Sequence, residues 1–233
     1  MISDDIDPAR WRGELAARGR VQIPGYLQEE AAGQLTHCLA EEVPWTLAYR
    51  GDGEPAVRAH AELQAMDGEA YAALLRTLAG QARGHYGFAY ESYMMVRAYN
   101  EGRDPGLLLH RVLEFLNSPE HLVFARMLTG ENRIRRVSAQ ATRYRPGHFL
   151  RRHNDFNESD QRLYAYVINL SSDWQADWGG QLQFLDAEGG VLETFLPRRN
   201  SLSLFKVPAD HLVTPVAALA EQDRLSVTGW YQA

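Results

Sequence analysis

The feature that most limits how this chain can fold is a change of pattern near residue 131. Before it, apolar residues recur at three- and four-residue spacing, which predicts amphipathic helices. After it, short segments alternate between apolar and polar residues and are separated by Gly, Pro and Asn turns. Alternation places every second side chain on one face of a strand. The second part of the chain is therefore predicted to form a β-sandwich or barrel.

These patterns also predict where the individual elements lie. Asp7 and Pro8 are typical of a helix start, and Gly19 of its end. Further helices are predicted over 28–42, 68–82, 107–115 and 120–128, and strands over 20–23, 45–49, 135–145, 163–170, 182–185, 191–195, 202–207 and 225–231. The aromatic-rich stretch 88–99 is predicted to be partly extended, and residues 90–99 to form either a lid or substrate wall, or part of the core. We expect one α+β domain over 1–233, in which mainly helical residues 1–130 support a β core of residues 131–233.

Composition narrows the function classes. The 233 residues are enough for one domain with a sizeable core. A formal net charge of -6 argues against nucleic acid as the main partner. No apolar run approaches the roughly 18 residues of a membrane span, and the acidic first residues lack the basic-then-apolar plan of a signal peptide. We expect a cytoplasmic protein with no nucleic-acid or membrane partner; its oligomeric state is not indicated.

The single cysteine, Cys38, excludes an intramolecular disulfide and a thiolate metal cage. It lies on the apolar face of the helix predicted over 28–42, which favours a core thiol. The chain has eight His and 30 acidic residues. A metal site would therefore use imidazole and carboxylate ligands, which favour Fe, Mn or Zn.

Two segments place a histidine two positions before an acidic residue: His60 with Glu62, and His153 with Asp155. This composition gives about one such match by chance. The first pair lies in a polar region before a helix, and we interpret it as the chance match. The second leads into the β-rich part, where strand alternation would direct both side chains to one face and Asn154 to the other.

Two ligands do not make a catalytic metal site, and His211 is the only later histidine. It begins an apolar run, so a neutral core histidine is the alternative interpretation. Thirteen residues after it, Arg224 begins a segment whose alternation puts Arg224, Ser226 and Thr228 on one face. A cation inside a barrel is costly unless it binds an anion. Gly179–Gly180, directly before a predicted strand, indicates a tight turn.

From about residue 140 to 233, order and spacing resemble the Fe(II)- and 2-oxoglutarate-dependent oxygenases, in particular their prolyl 4-hydroxylase-like branch. The resemblance is carried by Tyr144, Pro146–Gly147, His153, Asp155, Tyr164–Leu170, Asp173–Trp174, Gly179–Gly180, Leu182, His211, Val213, Pro215–Val216, Arg224, Ser226 and Thr228–Tyr231. A weaker likeness in Phe115–Pro119 and Leu128–Gly130 is to the oxygenase domains that modify a ribosomal-protein proline.

The resemblance implies a double-stranded β-helix, a jelly-roll or cupin-like core with a metal at its open end. It implies that His153, Asp155 and His211 form the facial triad that holds Fe(II). It also implies 2-oxoglutarate and O₂ as cosubstrates, and ascorbate as a stimulant. Such an enzyme couples the oxidative decarboxylation of 2-oxoglutarate to hydroxylation of an unactivated C–H bond.

By the same resemblance, Arg224 would hold the distal carboxylate of 2-oxoglutarate. Ser226 or Thr228 would donate a further hydrogen bond to it, and Tyr144 would hydrogen-bond the cosubstrate or the substrate. One position departs from the family. Many prolyl hydroxylases have a tyrosine that helps bind this carboxylate, whereas this chain has Asn169, whose shorter amide predicts a different pocket.

The expected substrate is a prolyl residue of a protein or peptide. A free amino acid or a natural-product small molecule is the alternative within the class. A metal-binding β-barrel sensor without catalysis is the alternative of another class. His148 is predicted to face away from the metal, and Trp174 and Trp178 to shape either the entrance or the core. Neither a hydrolase nucleophile elbow nor a phosphate-binding loop is present.

Overall fold

The computed structural model describes residues 1–233 and contains seven α-helices and thirteen β-strands. The helices are α1 (Pro8–Arg18), α2 (Glu29–His37), α3 (His60–Gln64), α4 (Gly68–Gln81), α5 (Met95–Asn100), α6 (Leu108–Leu116) and α7 (Pro119–Thr129), with a π-helical turn at Cys38–Glu42 and a 3₁₀ turn at Ala176–Trp178. The strands are β1 (Arg20–Pro24), β2 (Thr46–Arg50), β3 (Ala56–Arg58), β4 (Phe88–Tyr93), β5 (Arg136–Val137), β6 (Gln140–Tyr144), β7 (Phe149–His153), β8 (Arg162–Asn169), β9 (Leu182–Leu185), β10 (Val191–Phe195), β11 (Ser201–Lys206), β12 (His211–Val213) and β13 (Arg224–Gln232).

Local sequence signals set the ends of the helices. At the start of α1, a carboxylate oxygen of Asp7 accepts a hydrogen bond from the Ala9 N–H at 2.9 Å, and Pro8 occupies the first turn. Gly19 ends α1 and Gly130 ends α7, both in the left-handed conformation that glycine adopts without steric cost. These ends agree with the sequence prediction.

All strand pairs are antiparallel. Ten strands form one sheet in the order β1-β11-β8-β13-β6-β4-β7-β12-β9-β10. Of the other three, β2 pairs with β3 and β4, and β5 pairs with β13. The two ends of this order, β1 and β10, are joined by side chains. Glu193 of β10 pairs with Arg18 and Arg20, and the Gln22 amide donates to the Leu196 carbonyl at 2.8 Å. The sheet thus curls into a nearly closed, jelly-roll-like barrel, which confirms the predicted α+β class and double-stranded β-helix.

Residues 1–130 contribute strands to this barrel as well as all seven α-helices. Strands predicted over 20–23 and 45–49 are present as β1 and β2. The aromatic-rich stretch 88–99 divides into β4 and α5. β4 pairs with both β6 and β7, so it connects the strands that carry Tyr144 and His153.

Alternation along β8 separates the main core from the barrel interior. Tyr164, Tyr166 and Ile168 face the helices and belong to the largest hydrophobic cluster. Ala165 and Val167 face the interior, where they line a cavity. The helices therefore cover one face of the sheet and leave the interior for the site. No helix is both long and apolar enough to cross a lipid bilayer.

His121 on α7 is a buried histidine that makes stability depend on pH. Its ring packs against Phe115, Phe124 and Tyr231, and only 1% of the residue is exposed. Burial lowers the pKa of His121 to about 4. The unfolded chain, with an ordinary histidine pKa near 6.5, binds more protons between these two values. Stability is therefore lost as the pH falls through that window.

We expect His121→Phe, which fills the same apolar space, to remove about 2 kcal/mol of the difference in unfolding free energy between pH 7 and pH 5. Urea unfolding of both proteins at the two pH values measures this difference. An equal pH dependence in wild type and variant would contradict it.

Candidate functional site

A cavity of about 290 Å³ lies inside the barrel. Seven of the eight residues predicted for the site line it: His153, Asp155, His211, Arg224, Tyr144, Ser226 and Thr228. The eighth, Asn169, does not. The fold therefore brings the predicted residues together from β6, β7, β12, β13 and the segment after β7.

The two histidines and the aspartate form a compact cluster at one end. His153 on β7 lies directly opposite His211 on β12, with ring centroids 4.1 Å apart. The carboxylate oxygens of Asp155 lie 3.4 Å from His153 Nε2 and 3.5 Å from His211 Nε2. One ligand atom from each residue lies within 4.8 Å of the other two. Three ligand atoms therefore converge on one point from the same side.

A β-bulge in β7 directs His153 into the cavity. Val213 lies opposite Leu150, and His211 opposite His153, so three residue steps on β7 face two on β12. A bulge of this kind re-aims the side chains that follow it. Leu150 and His153 consequently both line the cavity, although simple alternation would place them on opposite faces.

Asp155 reaches the cluster in a different way from the predicted one. β7 ends at His153, so alternation along a strand does not bring Asp155 to the same face. Instead Asp155 has a φ of 60°, in the left-handed region that aspartate tolerates better than most residues. The turn after β7 thus directs the carboxylate back towards the imidazoles.

Backbone carbonyls set the orientation of both imidazoles. His153 Nδ1 lies 2.9 Å from the Arg151 carbonyl oxygen, and His211 Nδ1 lies 2.7 Å from that of Ala209. A neutral imidazole that donates Nδ1–H to a carbonyl keeps a free lone pair on Nε2, the atom that faces Asp155. Burial, assisted by the neighbouring His153, lowers the pKa of His211 to about 4. His211 is therefore neutral near pH 7.

Burial opposes ionisation of Asp155, but the hydrogen bond with His153 and the neighbouring imidazoles hold its pKa below the ordinary value. The cluster thus offers two imidazole nitrogens and one carboxylate on one face. This donor set suits non-haem Fe(II), with its remaining positions open towards the cavity.

Arg224, at the start of β13, is a buried cation without a protein counter-ion. It is 3% exposed, and its Nε has no hydrogen-bond partner. The neighbouring carboxylate of Asp223 lies near Arg143 and Arg145 instead, at 3.8 and 4.0 Å. Burial lowers the pKa of Arg224, although a guanidinium stays charged in proteins. An unpaired buried charge is costly, so this end of the cavity suits an anionic group.

One tyrosine packs against this guanidinium, and a second tyrosine stacks on the first. The Arg224 guanidinium carbon lies 5.0 Å from the Tyr144 ring centroid, and Tyr90 stacks on Tyr144 with centroids 5.1 Å apart. Burial raises the pKa of Tyr144 and raises that of Tyr90 to about 12. Both phenols therefore keep their protons, and that of Tyr144 can act as a hydrogen-bond donor beside Arg224.

The two hydroxyl residues predicted beside Arg224 differ in their partners. Thr228 Oγ1 donates to the Tyr166 carbonyl at 2.7 Å. Ser226 Oγ lies 2.7 Å from Thr142 Oγ1, so one of these two hydroxyls donates to the other and the second keeps a proton for another acceptor. The Ser226–Thr142 pair, rather than Thr228, can thus donate into the cavity.

Asn169 is not among the residues that line the cavity. Its side-chain amide faces β11 and lies 3.1 Å from Ser203 Oγ and 3.2 Å from Ser201 Oγ. We expect Asn169→Ala to leave the KM for 2-oxoglutarate unchanged and to lower the unfolding free energy by about 1–3 kcal/mol, because it removes the buried hydrogen bonds from the Asn169 amide to Ser201 and Ser203. Steady-state kinetics and thermal unfolding measure the two effects. A large rise in this KM at unchanged stability would contradict the placement.

Sequence reasoning missed several cavity residues, namely Gln140, Leu150 and Arg162 on strands and Tyr86 in the loop before β4. Tyr86, Phe88 and Tyr90 form a continuous row of rings, and the Tyr86 ring lies 5.7 Å from that of His153. Their alternation was a signal available in the sequence.

Three further candidates lie outside the cavity lining. His148 is fully buried, with Nε2 2.7 Å from the Tyr71 hydroxyl. Trp174 and Trp178 pack against each other and against Tyr144 in a small hydrophobic cluster. All three residues therefore contribute to packing around the site.

Comparison with known proteins associates this site with one family. Residues 139–232 match the family model described as the 2OG-Fe(II) oxygenase superfamily, a span that contains the His-Asp-His cluster and Arg224. No curated protein sequence matches the chain.

Solved structures share the whole fold. A prolyl-4-hydroxylase from Pseudomonas putida is similar at 22% identity and a TM-score of 0.57, over 97% of this chain and 98% of the other. An oxidoreductase of the 2OG-Fe(II) oxygenase family from Burkholderia pseudomallei has 15% identity and a TM-score of 0.64, over 100% and 93%. A prolyl hydroxylase from Trichoplax adhaerens, solved with a peptide of a hypoxia-inducible factor, has 17% identity and a TM-score of 0.59, over 96% and 88%. These likenesses establish the fold.

Proposed function

We propose that this chain, whose residues 139–232 match the model of the 2OG-Fe(II) oxygenase superfamily, is a 2-oxoglutarate-dependent dioxygenase that hydroxylates a prolyl residue of a protein or peptide. Fe(II), 2-oxoglutarate and O₂ together supply oxidising chemistry that decarboxylates 2-oxoglutarate to succinate and inserts one oxygen atom into a C–H bond. The protein contributes binding, orientation and exclusion of water.

In this proposal His153, Asp155 and His211 hold the metal. The neutral imidazole of His211 and the ionised carboxylate of Asp155 are ready for this role without loss of a proton near pH 7. Arg224 holds the distal carboxylate of 2-oxoglutarate in a charge-assisted pair. Tyr144 beside it donates a hydrogen bond to the cosubstrate.

One observation carries the proposed binding mode. A single cavity joins a three-ligand cluster to a buried, unpaired guanidinium. 2-Oxoglutarate has a keto acid group that chelates metals at one end and a carboxylate at the other. A cavity with a metal-binding end and a cationic end is complementary to that molecule.

The substrate side of the cavity supports a prolyl residue. Tyr86, which is 38% exposed, and Trp230 contribute aromatic surfaces to the lining beside the metal cluster. Aromatic faces suit the apolar ring of proline, and an open entrance suits a residue within a chain. Relatives of the same fold include a prolyl-4-hydroxylase and a prolyl hydroxylase solved with a peptide.

The alternative substrate is a free amino acid or a natural-product small molecule. The cavity volume of about 290 Å³ accommodates such a molecule as well as a prolyl ring. The two substrates differ in where hydroxylation is found. A peptide enzyme modifies a residue within a chain, whereas a small-molecule enzyme modifies only the free compound.

The test supplies purified protein with Fe(II), 2-oxoglutarate and ascorbate, and offers proline-containing peptides and free amino acids in separate reactions. We expect succinate together with a peptide product heavier by one oxygen atom, and hydroxyproline after its hydrolysis. Modification of a free compound alone would replace the peptide proposal with the alternative. The His211→Ala variant, run in parallel, controls for non-enzymatic oxidation.

A further inference from the structure

The segment 154–161, which carries Asp155, has no strand of its own to hold it. It follows β7 and precedes β8, and it contains two residues with positive φ, Asp155 at 60° and Gln161 at 49°. Residues in sparsely populated backbone regions persist only where the surrounding structure fixes them. The position of the Asp155 carboxylate therefore depends on contacts made to this segment from elsewhere.

Arg162, the first residue of β8, makes three hydrogen bonds to this segment. Its Nε and Nη2 lie 3.1 and 2.6 Å from one carboxylate oxygen of Asp160, and its Nη1 donates to the Asp155 carbonyl at 3.4 Å. Gln232 on β13 adds a hydrogen bond to the Asp160 carbonyl at 2.9 Å. One guanidinium thus binds both the residue that supplies the ligand and the far end of the same segment.

The guanidinium is itself fixed by a stack on Trp230. Its central carbon lies 3.7 Å from the Trp230 ring centroid, and only 18% of the Arg162 side chain is exposed. A planar group that stacks on a ring and donates in several directions has one orientation that satisfies all its contacts. A lysine ammonium has neither the plane nor the fork, so it cannot replace this arrangement.

We propose that Arg162 is a positioning residue, which holds the 154–161 segment so that Asp155 completes the metal site. The inference rests on the proposed metal role of His153, Asp155 and His211. Partners that orient a metal ligand are typically worth roughly 10–100-fold in metal affinity. The orienting contact here acts on the backbone of the ligand residue rather than on its carboxylate.

Arg20 offers a matched control. It too pairs with a carboxylate, that of Glu193, and it lies over an aromatic ring, that of Phe184, at 4.9 Å. Its side chain is 20% exposed, close to the value for Arg162. Arg20 makes no contact with the 154–161 segment among its hydrogen bonds and ion pairs. Loss of either arginine removes a similar ion pair from the fold, but only Arg162 contacts the residue that supplies a metal ligand.

The experiment titrates Co(II), as a spectroscopic probe, into metal-free wild type, Arg162→Lys, Asp160→Asn and Arg20→Lys, and records thermal unfolding of each metal-free protein. We expect Arg162→Lys to bind Co(II) roughly 10–100-fold more weakly than wild type. Asp160→Asn keeps the shape of the carboxylate that Arg162 contacts but removes its charge, and it should also weaken Co(II) binding. Arg20→Lys should bind as wild type does, although it unfolds at a similarly lowered temperature.

Wild-type Co(II) affinity in both Arg162→Lys and Asp160→Asn would overturn the proposal. Equal weakening in Arg20→Lys would also overturn it, because the effect would then follow general stability. The outcome is separable from the proposed function. A wild-type protein that binds Co(II) through the cluster but forms no succinate would contradict the enzyme reaction and leave the positioning role intact.

Discussion

His211→Ala is expected to abolish Fe(II) binding and all 2-oxoglutarate turnover. His211 supplies one of three converging ligand atoms, and its Nε2 lies 3.5 Å from Asp155. The partners that merely orient a metal ligand are worth roughly 10–100-fold in affinity, so loss of a ligand itself should exceed that range. Anaerobic titration of Fe(II) and succinate formation measure the two effects.

A second buried histidine controls for the effect of removing an imidazole. His121 is 1% exposed and has a pKa lowered by burial to about 4, as His211 has, but it lies in the helical core. His121→Phe should therefore keep wild-type Fe(II) affinity. Retained Fe(II) binding in His211→Ala would show that the metal site has been assigned to the wrong residues.

Arg224→Met is expected to make the free protein more stable and to weaken the binding of 2-oxoglutarate. Without an anion, the buried guanidinium has no carboxylate partner, so an apolar side chain of similar length should make the free protein more stable. With 2-oxoglutarate bound, the substitution should instead be unfavourable, because removal of one partner of a buried charge pair costs about 2–5 kcal/mol of binding free energy. That cost corresponds to a rise in Kd of roughly 30-fold or more.

Thermal unfolding with and without 2-oxoglutarate measures both effects. Wild-type protein with metal should be stabilised by 2-oxoglutarate through mass action, and Arg224→Met should need a roughly 30-fold or higher concentration for the same stabilisation. Arg143→Met is the matched control, because Arg143 pairs with the buried carboxylate of Glu91 and its loss leaves only the more exposed Arg145, at 3.6 Å, to compensate that charge. Arg143→Met should destabilise the free protein. A destabilised Arg224→Met with normal 2-oxoglutarate binding would contradict the role given to Arg224.

Much of the fold could be predicted because its signals are local. Caps and glycines set the ends of α1 and α7, and two-residue alternation sets the strands after residue 131. The pairing order could not be predicted in this way. β4 lies between β6 and β7 because of contacts between distant segments, and no local pattern in Phe88–Tyr93 specifies those partners.

The candidate site shows the same division. Residue types, spacing and the family resemblance suggested which residues gather in the cavity. Strand alternation alone, however, does not explain why His153 and Asp155 point to the same place. A β-bulge and a left-handed aspartate, neither of which has a signature in this sequence, place the two side chains. The family resemblance placed Asn169 where many prolyl hydroxylases have a tyrosine that binds the cosubstrate. Its amide is instead bonded to serines of β11, whose register against β8 is a tertiary feature.

Arg162 is a residue whose role no pattern in the sequence indicated. In the chain it is one of several arginines beside an acidic segment, and such charges usually belong to a solvated surface. Only the three-dimensional arrangement shows that it stacks on Trp230 and bonds the Asp155 carbonyl. Its role depends on β8 and β13 being neighbours in the sheet.

The most direct test of the central claim is a crystal structure of this protein grown anaerobically with Fe(II) and 2-oxoglutarate. We expect one metal ion bound by His153, Asp155 and His211, and 2-oxoglutarate extended through the cavity with its distal carboxylate on Arg224. A metal bound by other residues, or a 2-oxoglutarate carboxylate that does not contact Arg224, would contradict the account.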